Sequence, residues 1–225
     1  IDNDGNGFID DIHGWDFLNS DNDPMDDNDH GTHIAGTIGA AGNNGIGVTG
    51  VAWNVKIMPI KISGPSGTSD LYDAMLGLQY AVSMGATVSN NSYVATANSS
   101  ALRDAIAAAG RVGHVFVAAA GNSGSDNDVT PQNPGSFTMD SIIAVAATDH
   151  NDARPGWSNY GATSVDIGAP GTNIHSTAPG GGYVTKSGTS MATPHVAGAV
   201  ALVQSVRPDY TATEVVNAIL GGADP

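Results

Sequence analysis

Four short apolar runs, at residues 55–62, 86–90, 114–120 and 142–148, alternate with stretches whose apolar residues recur at helical spacing, and this alternation narrows the possible folds more than any other feature. Between the first two runs, Leu71, Ala74, Met75, Leu78, Ala81 and Val82 follow the i, i+3, i+4, i+7 pattern of one helix face, which predicts a helix over 70–84. Between the second and third, Leu102, Ala105, Ile106 and Ala109 do the same over 99–109. Strands joined by crossover helices run parallel, and a parallel sheet needs cover on both faces. The expected fold class is therefore α/β: a three-layer sandwich of a mostly parallel sheet with helices on both sides. Further helices are predicted over about 30–41, 190–206 and 213–220, with Pro208 stopping the second and Gly221-Gly222 the third. At 225 residues, with no internal repeat and no linker, a single domain is expected.

The formal charge of −15, from 22 acidic against 7 basic residues, argues against nucleic acid or an anionic membrane as partner. No apolar run reaches the roughly 20 residues that a membrane-spanning helix needs. Cations are the expected company. Ten aspartates fall between Asp2 and Asp29, whereas the first basic residue is Lys56, so this acidic segment repels itself unless solvent, salt or a metal offsets it. Cysteine is absent, so disulfides play no part.

Within the acidic segment, Asp2-Asn3-Asp4-Gly5-Asn6-Gly7-Phe8-Ile9-Asp10 has the spacing of an EF-hand-like loop. Asp2, Asp4, Asn6 and Asp10 supply side-chain oxygens at positions 1, 3, 5 and 9, the Phe8 carbonyl falls at position 7, and Gly7 takes the turn position. Position 12 is His13 rather than glutamate, and Asp11 is the neighbouring substitute. The expected metal is Ca²⁺; a solvated acidic loop is the simpler alternative. Asp21 and Asp23 are candidates for a second site that their spacing does not demand.

Two small-residue-rich segments lead into apolar helical patterns: His30-Gly31-Thr32-His33-Ile34-Ala35-Gly36 and Gly188-Thr189-Ser190-Met191-Ala192-Thr193-Pro194-His195-Val196-Ala197-Gly198. A serine at a helix N-terminus sits among unpaired N–H groups and the positive dipole end, which favours negative charge on a neighbouring oxygen. A base in one segment and a hydroxyl in the other suggest acyl transfer by serine, although a serine there often only caps its helix.

These two segments resemble the histidine and nucleophile segments of the subtilisin-like serine proteases. Ala118-Ala119-Ala120-Gly121-Asn122-Ser123-Gly124 is similar to their oxyanion segment, and Trp157-Ser158-Asn159-Tyr160-Gly161 with Asp166-Ile167-Gly168-Ala169-Pro170-Gly171 to their connecting region. The resemblance implies Ser190 as nucleophile, His30 as general base, and the Asn122 side-chain amide as oxyanion donor beside the Ser190 N–H. As a plain turn residue, Asn122 would need no such role. The resemblance also implies an extended-peptide cleft between Gly64, Ser66 and Gly67 on one side and Ser92, Tyr93 and Val94 on the other, with Ala119, Ala120 and Gly121 forming a pocket wall. Glycine is the usual residue where Val94 stands. His33 and His195 read as packed structural histidines.

The family's orienting aspartate lies in an apolar strand followed by Asp-Thr-Gly or Asp-Ser-Gly, and no such run precedes His30. Asp2 and Asp16 are weak substitutes. Residues 1–225 are therefore expected to form a subtilisin-like peptidase domain lacking the N-terminal strand with that aspartate and shortened at its C-terminal end. The implied function is a secreted serine endopeptidase acting on protein or peptide substrates, with an upstream propeptide or strand as further partner. The alternative is a catalytically inactive peptide-binding relative. An α/β-hydrolase esterase is disfavoured by Ala192 in place of the second glycine and by the histidine preceding the serine.

Overall fold

The computed structural model describes residues 2–224. In chain order the elements are β1 (Trp15–Asp16), α1 (His30–Gly39), β2 (Ile60–Lys61), α2 (Leu71–Ser83), β3 (Val88–Asn91), α3 (Ser100–Arg111), β4 (Val115–Ala119), β5 (Ile142–Thr148), β6 (Ile167–Pro170), β7 (Ile174–Ala178), β8 (Gly182–Lys186), α4 (Thr189–Val206) and α5 (Ala212–Gly221). Strands β3-β4-β5-β6 form a parallel four-stranded sheet in sequence order, β1 and β2 pair in parallel, and β7 and β8 make an antiparallel hairpin. The result is the α/β three-layer sandwich that the alternating pattern predicts.

Both faces of the central strands are dry, which is why 114–120 and 142–148 read as continuous apolar runs. Val115, Val117, Ile143 and Val145 pack with Val196, Val200, Val215 and Val216 of α4 and α5, and Ile38 of α1 joins them. On the opposite face, Phe116, Ala118 and Ile142 pack with Leu78 of α2 and with Leu102 and Ile106 of α3. Local chemistry sets the helix starts. Asp70 accepts from the Tyr72 N–H, Ser99 from Leu102, and Thr211 forms a capping box with Glu214.

The run at 55–62 is a correction. Only Ile60 and Lys61 pair, against Trp15 and Asp16, because their partner strand is itself two residues long. β2 and β3, joined through α2, are not hydrogen-bonded to each other, so the parallel strands divide into two groups.

The small residues of the two motifs let α1, α4 and the β7–β8 hairpin approach closely. A Cβ on Gly198 would lie 2.6 Å from Val51 Cβ, and one on Gly36 would collide with the Thr177 and Ser176 hydroxyls. From the hairpin, Ser176 Oγ donates to the His33 carbonyl (2.8 Å) and Thr177 Oγ1 to that of Thr32 (2.8 Å). This packing fixes where α1 begins relative to α4.

Candidate active site

Ser190 is the second residue of α4, half-buried in a turn without a charged side chain. Its backbone N–H is one of the first-turn donors that no carbonyl within the helix can satisfy. Its hydroxyl donates to the Ser92 carbonyl at 3.3 Å, while Ser92 Oγ donates to the Ser190 carbonyl at 3.0 Å. The start of α4 is thereby joined to Ser92, just after β3.

Asn122 lies at the end of the β4 loop, exposed at the same helix start. Its Oδ1 accepts from the Thr189 N–H (2.8 Å) and from Thr189 Oγ1 (3.0 Å). Thr189 Oγ1 in turn accepts from the Gly121 N–H (3.2 Å). With the amide oxygen occupied, the Nδ2 hydrogens are left to donate outward; among the described residues none receives them. The arrangement suits a negative charge developing beside Ser190.

The loop behind Asn122 is held by two buried amides. Asn159 Oδ1 accepts from the Ser123 and Ser125 N–H groups (2.9 and 3.1 Å) and from Ser123 Oγ (3.1 Å). Its Nδ2 donates to the Ala120 carbonyl (3.0 Å) and to Asn127 Oδ1 (2.9 Å), and Asn127 Nδ2 donates to the same carbonyl (2.9 Å). Gly121 takes φ 110°, and a Cβ there would lie 2.5 Å from Asn159 Nδ2. Ala119 and Ala120 are fully buried, so their side chains back this loop rather than face the solvent.

His30 opens α1 and is half-buried. Burial pushes its imidazole below the ordinary histidine range, the Lys186 charge and His33 act in the same sense, and Asp26 and Asp29 oppose them. Among the described residues its ring makes no hydrogen bond, with Ser190 or with a carboxylate. Asp16 is no substitute: its buried carboxylate accepts from the Asn19 N–H (2.9 Å) and Nδ2 (2.8 Å) and pairs with Lys61 (3.3 Å). Asp2 is occupied within its own loop.

Asp26, which the sequence reading passed over, organises the start of α1. Its carboxylate accepts from the N–H groups of Asn28 (2.9 Å), Asp29 (3.0 Å) and Thr32 (2.7 Å) and from Thr32 Oγ1 (2.6 Å). Partial burial raises its pKa, but these bonds outweigh it and hold the carboxyl below its usual range. Three further histidines have structural partners. His33 Nε2 meets the Ile174 carbonyl (3.0 Å), His195 Nδ1 that of Met191 (2.9 Å), and His114 the Ala86 carbonyl and Ser89 Oγ (2.8 and 2.9 Å).

Of the expected cleft residues, Gly64 and Gly67 close a turn (2.9 Å) with Ser66 exposed at its tip, and Asn28 Nδ2 donates to the Pro65 carbonyl (2.8 Å), placing this loop beside the His30 segment. Among the described residues the buried Tyr93 hydroxyl has no hydrogen-bond partner, and Val94 is 41% exposed.

In the acidic loop, Asp2 accepts from the N–H groups of Gly5, Asn6 and Gly7 (2.7, 3.2 and 2.9 Å), and Asn6 Oδ1 from that of Phe8 (2.7 Å). Asn6 Nδ2 bridges Asp4 and Asp11 (3.1 and 2.9 Å), and Tyr80 donates to Asp11 (2.7 Å). Asp10 takes φ 56°, and its carbonyl accepts from Asn22 (3.1 Å). The donor chemistry fits a hard divalent cation, and the Asn6 amide stands where two carboxylates converge. Among the described residues, however, no three acidic or histidine side chains gather as a metal cluster.

A serine and a histidine thus each open a packed helix on an α/β sandwich, with the exposed Asn122 side-chain amide between β4 and the start of α4. Residues 1–224 match the Subtilase family, and the chain belongs to it. It is 42% identical over 204 residues to alkaline elastase YaB of Bacillus sp. (strain YaB), covering 91% of this chain and 52% of that protein. It is likewise 42% identical over 204 residues to subtilisin Savinase of Lederbergia lenta, covering 91% and 73%. The fold matches the crystal structure of a cold adapted subtilisin-like serine proteinase with a TM-score of 0.81 at 37% identity, covering 91% of this chain and 71% of that one. The chain spans about half the length of the elastase.

Proposed function

We propose that this chain is the catalytic part of a serine endopeptidase that hydrolyses extended protein or peptide substrates through an acyl-enzyme intermediate. The observation that carries this reading is the Asn122 amide, turned by Thr189 so that its donor end is free beside Ser190. Ser190 Oγ attacks the scissile carbonyl, and His30 takes the hydroxyl proton. The carbonyl oxygen becomes an oxyanion that accepts from Asn122 Nδ2 and the Ser190 N–H. His30 then passes its proton to the leaving amine, and water repeats the sequence to release the acyl group. Relatives named as alkaline elastase, subtilisin and thermitase support the reaction class.

The substrate strand lies between Gly64, Ser66 and Gly67 and Ser92, Tyr93 and Val94, where backbone hydrogen bonds supply most of the affinity. The aspartate that holds the His30 tautomer comes, on this reading, from a strand outside the 225 residues. The missing pairing between β2 and β3, and the His30 ring without a hydrogen bond among the described residues, support this. Asp2, Asp4, Asn6, the Phe8 carbonyl, Asp10 and Asp11 are the residues that would hold Ca²⁺, which would offset the repulsion among the carboxylates. The acidic surface and the family suit an exported enzyme, and among the described residues no helix is long and apolar enough to cross a membrane.

A serine-directed phosphonate tests the reading. It labels Ser190 when the chain carries an added N-terminal strand ending in Asp-Thr-Gly; no labelling of that folded, extended chain overturns the assignment. The second reading, a peptide-binding relative without turnover, is favoured by the Ser190 hydroxyl bonding to Ser92 rather than His30. Peptide binding without cleavage in the extended chain selects it.

A further inference from the structure

The residue immediately before His30 and the last residue of β8 form an ion pair, Asp29 Oδ1 to Lys186 Nζ at 2.6 Å. Asp29 occupies the N-cap position of α1 with φ 79° and ψ −12°, a left-handed conformation uncommon for a residue with a side chain. Asparagine and aspartate tolerate it best, usually by bonding locally. Asp29 does not cap its helix; Asp26 does that, and the Asp29 carboxylate is left to reach across to the hairpin. Lys186 lies four residues before Ser190 and leads directly into α4. The pair therefore ties the chain beside the base to the chain that delivers the nucleophile.

We propose that Asp29 and Lys186 act as a pair of positioning residues that couple the His30 and Ser190 segments and set the pH at which His30 becomes a base. This deepens the peptidase reading, resting on His30 as its base. Lys186 is the cation facing the imidazole, from β8. Asp26 and Asp29 face it from the α1 start and His33 from within α1, and His33 in turn acts on His195 of α4. Both partners of the pair are about one-third exposed, at 37% and 28%, so solvent screens them and each charge has a modest effect. The two charges oppose each other at the ring, and the balance between them is the quantity under control.

The test is an NMR titration of the His30 ring in the 225-residue chain, which does not require turnover. Lys186→Met removes the positive charge and raises the His30 pKa by about half a pH unit; Asp29→Asn leaves Lys186 uncompensated and lowers it by a similar amount. The double variant returns toward the parent value. The ring signals of buried His114 report that each variant is folded. Shifts in opposite directions support the proposal, whereas shifts in the same direction, or none, in folded variants overturn it. Where the extended chain is active, the acid limb of kcat/KM follows the same two directions. An extended chain that is folded but inactive, with the ring shifts intact, rejects the peptidase reading and leaves the coupling standing.

Discussion

The Asn122 side-chain oxygen accepts two hydrogen bonds from one residue, Thr189: one from its N–H at 2.8 Å and one from its hydroxyl at 3.0 Å. Thr189 is fully buried, so its two donors are fixed from within the fold and orient the exposed amide before any substrate arrives. Preorganisation of this kind avoids a reorganisation cost during the reaction.

Asn122→Ala in the active form lowers turnover by about 10²–10³ with little change in KM, a magnitude known from the corresponding donor in subtilisin itself rather than derived from this geometry. Thr189→Val keeps the shape but deletes the hydroxyl, loosening the amide and leaving the Gly121 N–H unpaired. Turnover falls, and stability drops by about 1–3 kcal/mol. Steady-state kinetics with chemical denaturation check both.

Asp26→Ala removes an acceptor that serves three N–H groups and one hydroxyl at the start of α1. The expected loss is about 1–2 kcal/mol, measured as a lower denaturation midpoint at unchanged slope. His30 mobility, read by NMR, rises with it.

Chelation tests the acidic loop. If Ca²⁺ binds the folded chain, removing it lowers Tm, and restoring it raises Tm in a concentration-dependent way. Asp4→Asn weakens the response. An unchanged Tm with chelator present rejects the metal site.

Val94→Gly opens the cleft where a β-branched side chain now stands 41% exposed. Cleavage after large side chains rises several-fold in kcat/KM relative to cleavage after small ones, within the range of about 10–200-fold that pocket volume can give. Competition between two peptide substrates measures the ratio.

Stability falls as pH drops from about 7 to 5. Burial holds His30, His33, His114 and His195 below the ordinary histidine range. The unfolded chain then binds protons that the folded chain does not, and stability is lost as pH falls from the unfolded value of about 6.5 toward the folded values. Calorimetric Tm against pH shows the decline, and His114→Gln makes it shallower.

The central layer was legible because its residues carry one message. β4 is apolar at every position and β5 at all but its last, Thr148, and α2 and α3 show a single stripe. β7 and β8 escaped because IHSTA and GYVTK carry few buried apolar side chains and turn through Pro179, Gly180 and Gly181. Ser190, His30 and Asn122 stand in contiguous motifs and could be picked out. Their supports could not. Thr189 is 67 residues from Asn122, and Asn159 is 36 from Ser123, so only folding brings these partners together. Asp26 was hidden for the opposite reason, as one aspartate among ten in a row of plausible turns.

Asn159 uses one amide to hold Ala120, Ser123, Ser125 and Asn127 at once. Such a hub makes the loop after β4 an indivisible unit: residues 120–127 and 159 can be exchanged with a relative as a block, but single replacements among them inherit partners shaped for someone else.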